Sequence, residues 1–326
     1  MATRESSAAS RPAVLCIGGL DPSGGAGILA DAEAVRAAGG RPLCAATAIT
    51  VQTARGVRSF QPLPPRLLLA QVEALLEDER PLAIKLGMLC SPALVRSLAT
   101  LLGRRMASPA DGRRPKGVEH SKEEDGFAGR RAKTEGRGAF QGGGRLRRPT
   151  GEGRRAWSIP TDAERRWLII DPVLAASGGT PLFRGPALAG YRPLLGLPAL
   201  WTPNLPEIEA LVGLHELRDP GQLLEAARSL RREGAAAVLL KGGHLPGPMA
   251  SDLLLTARGA HWLRGSRLDR TARGTGCRFA SALATRLALG DELLEAARFA
   301  KRLVRRHLEA TTSLSRPGPA RGSRSG

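Results

Sequence analysis

The stretch Arg273-Gly274-Thr275-Gly276-Cys277, running on into Arg278-Phe279-Ala280-Ser281-Ala282-Leu283-Ala284, decides how this chain is read. Two glycines around a threonine free the backbone to turn, and the apolar run behind them has the length and spacing of a helix. The first turn of such a helix presents N–H groups without an intrahelical partner, a seat for an anion such as phosphate. Cys277 falls in that turn, where the helix dipole favours a thiolate and is expected to lower the thiol pKa. An anion hole with a potential base inside it points to phosphoryl transfer. The same residues also fit a glycine loop entering a core helix, with Cys277 a small buried hydrophobe.

Upstream of this stretch, short apolar runs alternate with helix-like segments. Residues 13–18 read as a buried strand, followed by the glycine turn Gly19-Leu20-Asp21-Pro22-Ser23-Gly24-Gly25-Ala26-Gly27 and a helix over 28–38. This opening has neither the G-x-G-x-x-G spacing nor the lysine of a Walker phosphate loop, which disfavours a classical dinucleotide or P-loop assignment. Further strands are expected at 43–51, 82–86, 167–170, 200–202 and 236–240, with a hairpin near 252–255 and 261–263. Helices are expected over 67–76, from Pro92 (capped by Ser91) to about Leu102, up to Leu211, and over 220–233, 275–289 and 291–309. The alternation predicts an α/β fold: a mostly parallel sheet covered by helices on both faces.

Ligands of such sheets bind beyond the carboxyl ends of the strands. Those ends carry Gly19, Gln52, Met88, Asp171, Asn204 with Glu207, and Lys241. Phosphoryl transfer needs a metal to bridge phosphates, donors around the transferred group and a base on the accepting hydroxyl. Asp171 and Glu207 are candidate magnesium ligands, through water because Mg2+ keeps much of its hydration shell. Asp171 fits equally as a turn residue before Pro172, and the Asn204-x-x-Glu207 spacing is also that of a helix cap. Lys241 reads as a neutraliser of phosphate or as a strand-end charge. The Gly274, Thr275, Gly276 and Cys277 amides would form the anion hole, with Cys277 as base.

The formal charge of +19 raises the question of nucleic acid, and its location answers it. Residues 104–166 hold 17 Lys/Arg against 9 Asp/Glu, and they are rich in glycine and poor in large apolar side chains. A segment of that kind cannot bury enough surface to offset its ordering entropy, so 104–164 is expected to be a disordered insertion, and 1–12 and 313–326 disordered tails. Nucleic-acid binding through 104–166 is the weaker reading, because a solvated insertion explains the same composition. Four scattered cysteines lack zinc or disulfide spacing, no apolar run spans a membrane, and the N-terminus lacks the apolar middle of a secretory signal. A cytoplasmic protein with no membrane partner is expected. About fifteen residues follow the last helix, so no second catalytic domain is expected after it.

Seven motifs in order resemble the hydroxymethylpyrimidine/phosphomethylpyrimidine kinases of thiamine biosynthesis, in the ribokinase-like superfamily. They are residues 19–31, Thr50-Val51-Gln52-Thr53, Lys85-Leu86-Gly87-Met88-Leu89, Asp171-Pro172-Val173, Thr202-Pro203-Asn204-Leu205-Pro206-Glu207, Lys241-Gly242-Gly243-His244 and Gly274-Thr275-Gly276-Cys277. The resemblance implies one ribokinase-like domain over 13–312, interrupted by the insertion, that uses ATP and Mg2+ and assembles as a homodimer. It implies that Gly19, Asp31, Gln52, Met88 and Val173 line an aminopyrimidine pocket. Asn204 and Lys241 would serve the nucleotide, Asp171 and Glu207 the metal, and Cys277 would stand where most of the superfamily carries an aspartate base. The implied reaction phosphorylates the pyrimidine alcohol and then its monophosphate. Two positions depart from the pattern: Ser177 lies where the family often has a lysine, and Arg273 where a histidine commonly precedes the glycine loop. A pyridoxal or pyridoxine kinase of the same superfamily is the nearest alternative, disfavoured by Gln52 and Met88.

Overall fold

The computed structural model describes residues 11–106, 166–243, 245 and 247–311. The insertion and tails read above as disordered lie outside these residues, apart from Arg104–Met106, Arg166 and the short stretch before the first strand. Nine strands form one sheet in the order β3-β2-β1-β4-β5-β6-β7-β8-β9. The strands are β1 (Ala13–Leu20), β2 (Arg41–Thr53), β3 (Gly56–Pro62), β4 (Ala83–Leu86), β5 (Trp167–Ile170), β6 (Ala199–Trp201), β7 (Ala237–Leu240), β8 (Asp252–Thr256) and β9 (Gly259–Leu263). The six strands from β2 to β7 run parallel; β3, β8 and β9 are antiparallel edges.

Alternation along the strands builds two cores. In β1, Leu15 and Ile17 pack with α2 (Pro65–Asp78), α3 (Pro92–Met106), α5 (Leu205–Val212) and α6 (Pro220–Arg232). Val14 and Cys16, of opposite parity, pack with α1 (Gly27–Ala37), α7 (Thr275–Ala288) and α8 (Leu293–Ala310) on the other face. Parallel strands covered on both faces read as continuous apolar runs, which is why AVLCIG, WLII and AVLL were recognisable.

Three details differ from expectation. The strand β3 was not foreseen, because its half-exposed GVRSFQP has no apolar run to mark it. It pairs antiparallel with β2 at the sheet edge, and the two form a hairpin that extends past the parallel strands. The short helix α4 (Ala187–Tyr191) and the 3-10 turn Arg192–Leu194 were also missed, being too brief for periodicity to register. Helix α3 continues to Met106, so Arg104 and Arg105 belong to its last turn, where cations suit the helix dipole, and not to the insertion. Ser91 does cap α3, its Oγ accepting from Leu94 N at 3.4 Å.

Candidate active site

Two glycine loops meet at the carboxyl ends of the strands. Gly27 opens α1 with φ +61°, and a Cβ there would lie 2.1 Å from Gly19 O. Gly274 caps α7 with φ +68°, and a Cβ there would lie 2.3 Å from Gly25 O. Only glycine fits either position, on conformation and on space. Arg278, buried in the first turn of α7, binds the loops together: its guanidinium donates to Gly25 O at 3.0 Å and to Glu33 Oε2 at 2.6 Å. The Gly27 N–H donates to the Cys277 sulfur, so the N-termini of α1 and α7 converge on one thiol.

The expected depression of that thiol's pKa is not what the structure gives. Burial pushes Cys277 up to about 11, against the opposing charge of Lys85 and the hydrogen bond from Gly27. Desolvation of the charged form outweighs two helix N-termini. Cys277 is therefore a thiol at neutral pH before anything binds.

Beside Gly276 lies a second cluster. Lys241 Nζ donates to Asp171 Oδ1 at 2.7 Å and stands 3.9 Å from Glu207 Oε2. A Cβ on Gly276 would come within 3.1 Å of Lys241 Nζ and 3.8 Å of Asp171. Burial raises Glu207 to about 7, with Lys241 opposing and Asp171 reinforcing the rise. Asn204 and Glu207 also form the reciprocal capping box of α5: Asn204 Oδ1 accepts from Glu207 N at 2.9 Å and Glu207 Oε2 from Asn204 N at 2.8 Å. Among the described residues no group of three or more acidic, histidine or cysteine side chains forms a metal cage. Two carboxylates beside an ammonium fit a Mg2+ that keeps its waters and is held mainly by phosphates.

On the other side of Cys277, the pocket residues come together in part. A Cβ on Gly19 would touch Met88 Sδ at 2.8 Å, and Thr47 Oγ1 donates to Met88 O at 2.7 Å. Gln52 is fixed through Thr50, whose hydroxyl bridges Leu20 O and Gln52 Oε1. Val173 is half-buried just past Asp171. Asp31 is placed differently: it is fully buried beneath this surface, with both oxygens 2.9 Å from Lys85 Nζ and Oδ1 accepting from Ser281 Oγ at 2.8 Å.

The sequence reading passed over Lys85, although a lysine inside the four-residue apolar strand AIKL is itself a signal that a charge is buried for a reason. It placed Asp21 at the carboxyl end of the first strand but gave it no role. Asp21 accepts from Ser23 N, Ser23 Oγ and Ala26 N, and pairs with Arg273 at 2.6 Å. Arg273 also donates to Thr53 O at 2.7 Å, which joins the anion loop to the β2–β3 hairpin.

The family model for phosphomethylpyrimidine kinase matches residues 21–110 and 157–319. The chain belongs to the phosphomethylpyrimidine kinase family. It is 34% identical over 295 residues to the hydroxymethylpyrimidine/phosphomethylpyrimidine kinase of Streptomyces coelicolor, covering 90% of this chain and 87% of that one. It is 32% identical over 308 residues to the thiamine biosynthesis bifunctional protein ThiED of Geobacter sulfurreducens, covering 94% of this chain but only 51% of that longer relative. Among solved structures, the phosphomethylpyrimidine kinase of Clostridium difficile superposes with TM-score 0.62 at 25% identity, over 91% of this chain and 99% of that one. The pyridoxal kinase of Staphylococcus aureus superposes with TM-score 0.69 at 23% identity, over 94% and 90%, and shares the fold. Among the described residues no helix is long and apolar enough to cross a membrane.

Proposed function

We propose that this family member transfers the γ-phosphoryl group of ATP to 4-amino-5-hydroxymethyl-2-methylpyrimidine and then to the monophosphate, yielding the diphosphate. The observation that carries the reading is the convergence of two helix N-termini on the Cys277 sulfur, with Lys241 beside Gly276. The acceptor would lie over Gly19, Gln52, Met88 and Val173, with Asp31 buried beneath them and held by Lys85 and Ser281. The donor would enter from the β6–β8 side, past Asn204 and Lys241, because in-line transfer needs attacking and leaving oxygens on opposite sides of phosphorus.

Cys277 would first give up its own proton to solvent, and the thiolate would then accept the hydroxymethyl proton as that oxygen bonds to the γ-phosphorus and ADP departs with the bonding electron pair. In a loose transition state charge develops late on the hydroxymethyl oxygen, so the thiolate is needed only at that point, and its raised pKa makes it a strong base there. The N–H groups of Gly274, Thr275, Gly276 and Cys277 would hold the equatorial oxygens. Asp171 and Glu207 would hold Mg2+, which would supply positive charge to the phosphates. Lys241, already between those carboxylates, would turn toward phosphate when the metal takes them.

Mass spectrometry of the product from the pyrimidine alcohol, ATP and Mg2+ tests this. A diphosphate supports both steps. A monophosphate alone restricts the activity to the first, and product from pyridoxal alone would replace the reading with the vitamin-kinase alternative.

A further inference from the structure

The cation buried under the anion loop has no part in the chemistry above. Lys85 is 1% exposed, Asp31 and Ser281 0%, and the three come from β4, α1 and α7. Taking two charges out of water costs several kcal/mol per ion, and an apolar pair of the same volume packs as well, so stability does not explain the arrangement. Its position does. Lys85 Nζ lies where a side chain on Gly87 would be, since a Cβ there would approach it to 2.7 Å. The missing side chain lets the ammonium lean toward the carboxyl end of the strand, where Met88 and the anion loop are. Ser281 follows Cys277 by four residues, one helical turn, so both lie on one face of α7.

We propose that Lys85 is a positioning residue for Cys277: its ammonium supplies the positive charge beneath the sulfur, and Asp31, gripped by Lys85 and by Ser281, fixes the rotation of α7 that aims the thiol at the acceptor. Burial alone would pull Lys85 down, but Asp31 overrides it and holds the ammonium charged well above the ordinary lysine range. Among the groups that act on Cys277, Lys85 opposes Asp31 and Asp171, which disfavour the thiolate. The inference rests on the reading of Cys277 as base for its consequence, not for its geometry.

The test is the rate at which iodoacetamide alkylates Cys277 in the substrate-free full chain at one alkaline pH, read by mass spectrometry of its peptide. Cys90 is the internal control: it is fully buried where Cys277 is half-buried, so only the change in their ratio is read, and its neighbours are Thr47 and Arg184. In Lys85→Met, alkylation of Cys277 is expected to slow about tenfold relative to Cys90. If the single variant folds poorly, the double variant Lys85→Met/Asp31→Asn, which leaves no buried charge unpaired, is compared with Asp31→Asn alone, and Cys277 is expected to be alkylated more slowly in the double variant. In turnover, Lys85→Met is expected to lower kcat with little change in the KM for ATP. An unchanged Cys277-to-Cys90 ratio between wild type and folded Lys85→Met, or between Asp31→Asn and the double variant, overturns the proposal. Slowed alkylation alongside an active Cys277→Ala enzyme leaves the positioning role intact and removes the base reading instead.

Discussion

Lys241 Nζ donates to Asp171 Oδ1 at 2.7 Å, joining the end of β7 to the end of β5 across β6. This bond gathers the charged half of the site, and under the proposed function it is the one that would loosen when phosphate and metal bind. Lys241→Met is expected to lower kcat/KM about a hundredfold or more, the usual cost of losing a cation at the transferred group. Adding Asp171→Asn should recover part of the melting temperature without recovering turnover, because Asp171 is then no longer a buried charge without its lysine, while Glu207 keeps its hydrogen bond from Asn204 N. Recovery of both would make the pair purely structural.

The raised pKa of Glu207 has a signed effect on stability. The folded state binds its proton up to about pH 7, whereas the unfolded carboxyl releases it near 4.5. The stability this group contributes is therefore full below pH 4.5 and is lost as pH rises through 7, amounting to about 3 kcal/mol at the limit. Metal-free melting curves should fall from pH 5 to 8 in the wild type and stay flatter in Glu207→Gln. Parallel curves would contradict this.

How much of this was legible depended on what each residue does to its neighbours in sequence. The buried strands announced themselves as apolar runs, and the site motifs fell at strand ends because parallel sheets place them there. Gly27 and Gly274 were visible as glycines, but not the carbonyls of Gly19 and Gly25 that exclude a side chain from them. Three-dimensional partners have no sequence period: Arg273 lies 252 residues from Asp21, and Ser281 lies 250 from Asp31. The Cys277 pKa was misjudged for the same reason, since the helix dipole is local and desolvation depends on everything packed around the thiol.

The glycines differ in a way substitution can resolve. Gly27→Ala and Gly274→Ala meet backbone atoms at 2.1 and 2.3 Å and should each lower both melting temperature and activity strongly. Gly24→Ala, at φ +73° in open space, carries only the cost of its backbone conformation, about 1 kcal/mol. Thermal melts of the three variants side by side check the order.

Among the described residues the Arg273 guanidinium donates to Asp21, Ser23 and the Thr53 carbonyl, on the side where the acceptor is proposed to lie. Arg273→Ala is therefore expected to raise KM for the pyrimidine several-fold while leaving KM for ATP near the wild-type value. Initial-rate kinetics with each substrate varied in turn decide it, and an effect confined to ATP would refute the assignment of sides.

The most direct measurement is ADP release by the full chain with ATP and Mg2+, offering the pyrimidine alcohol, its monophosphate and pyridoxal in parallel, with Cys277→Ala alongside. The account predicts turnover of both pyrimidines, little or none of pyridoxal, and loss of most activity in the variant. Turnover of pyridoxal alone, or full activity in Cys277→Ala, would contradict it.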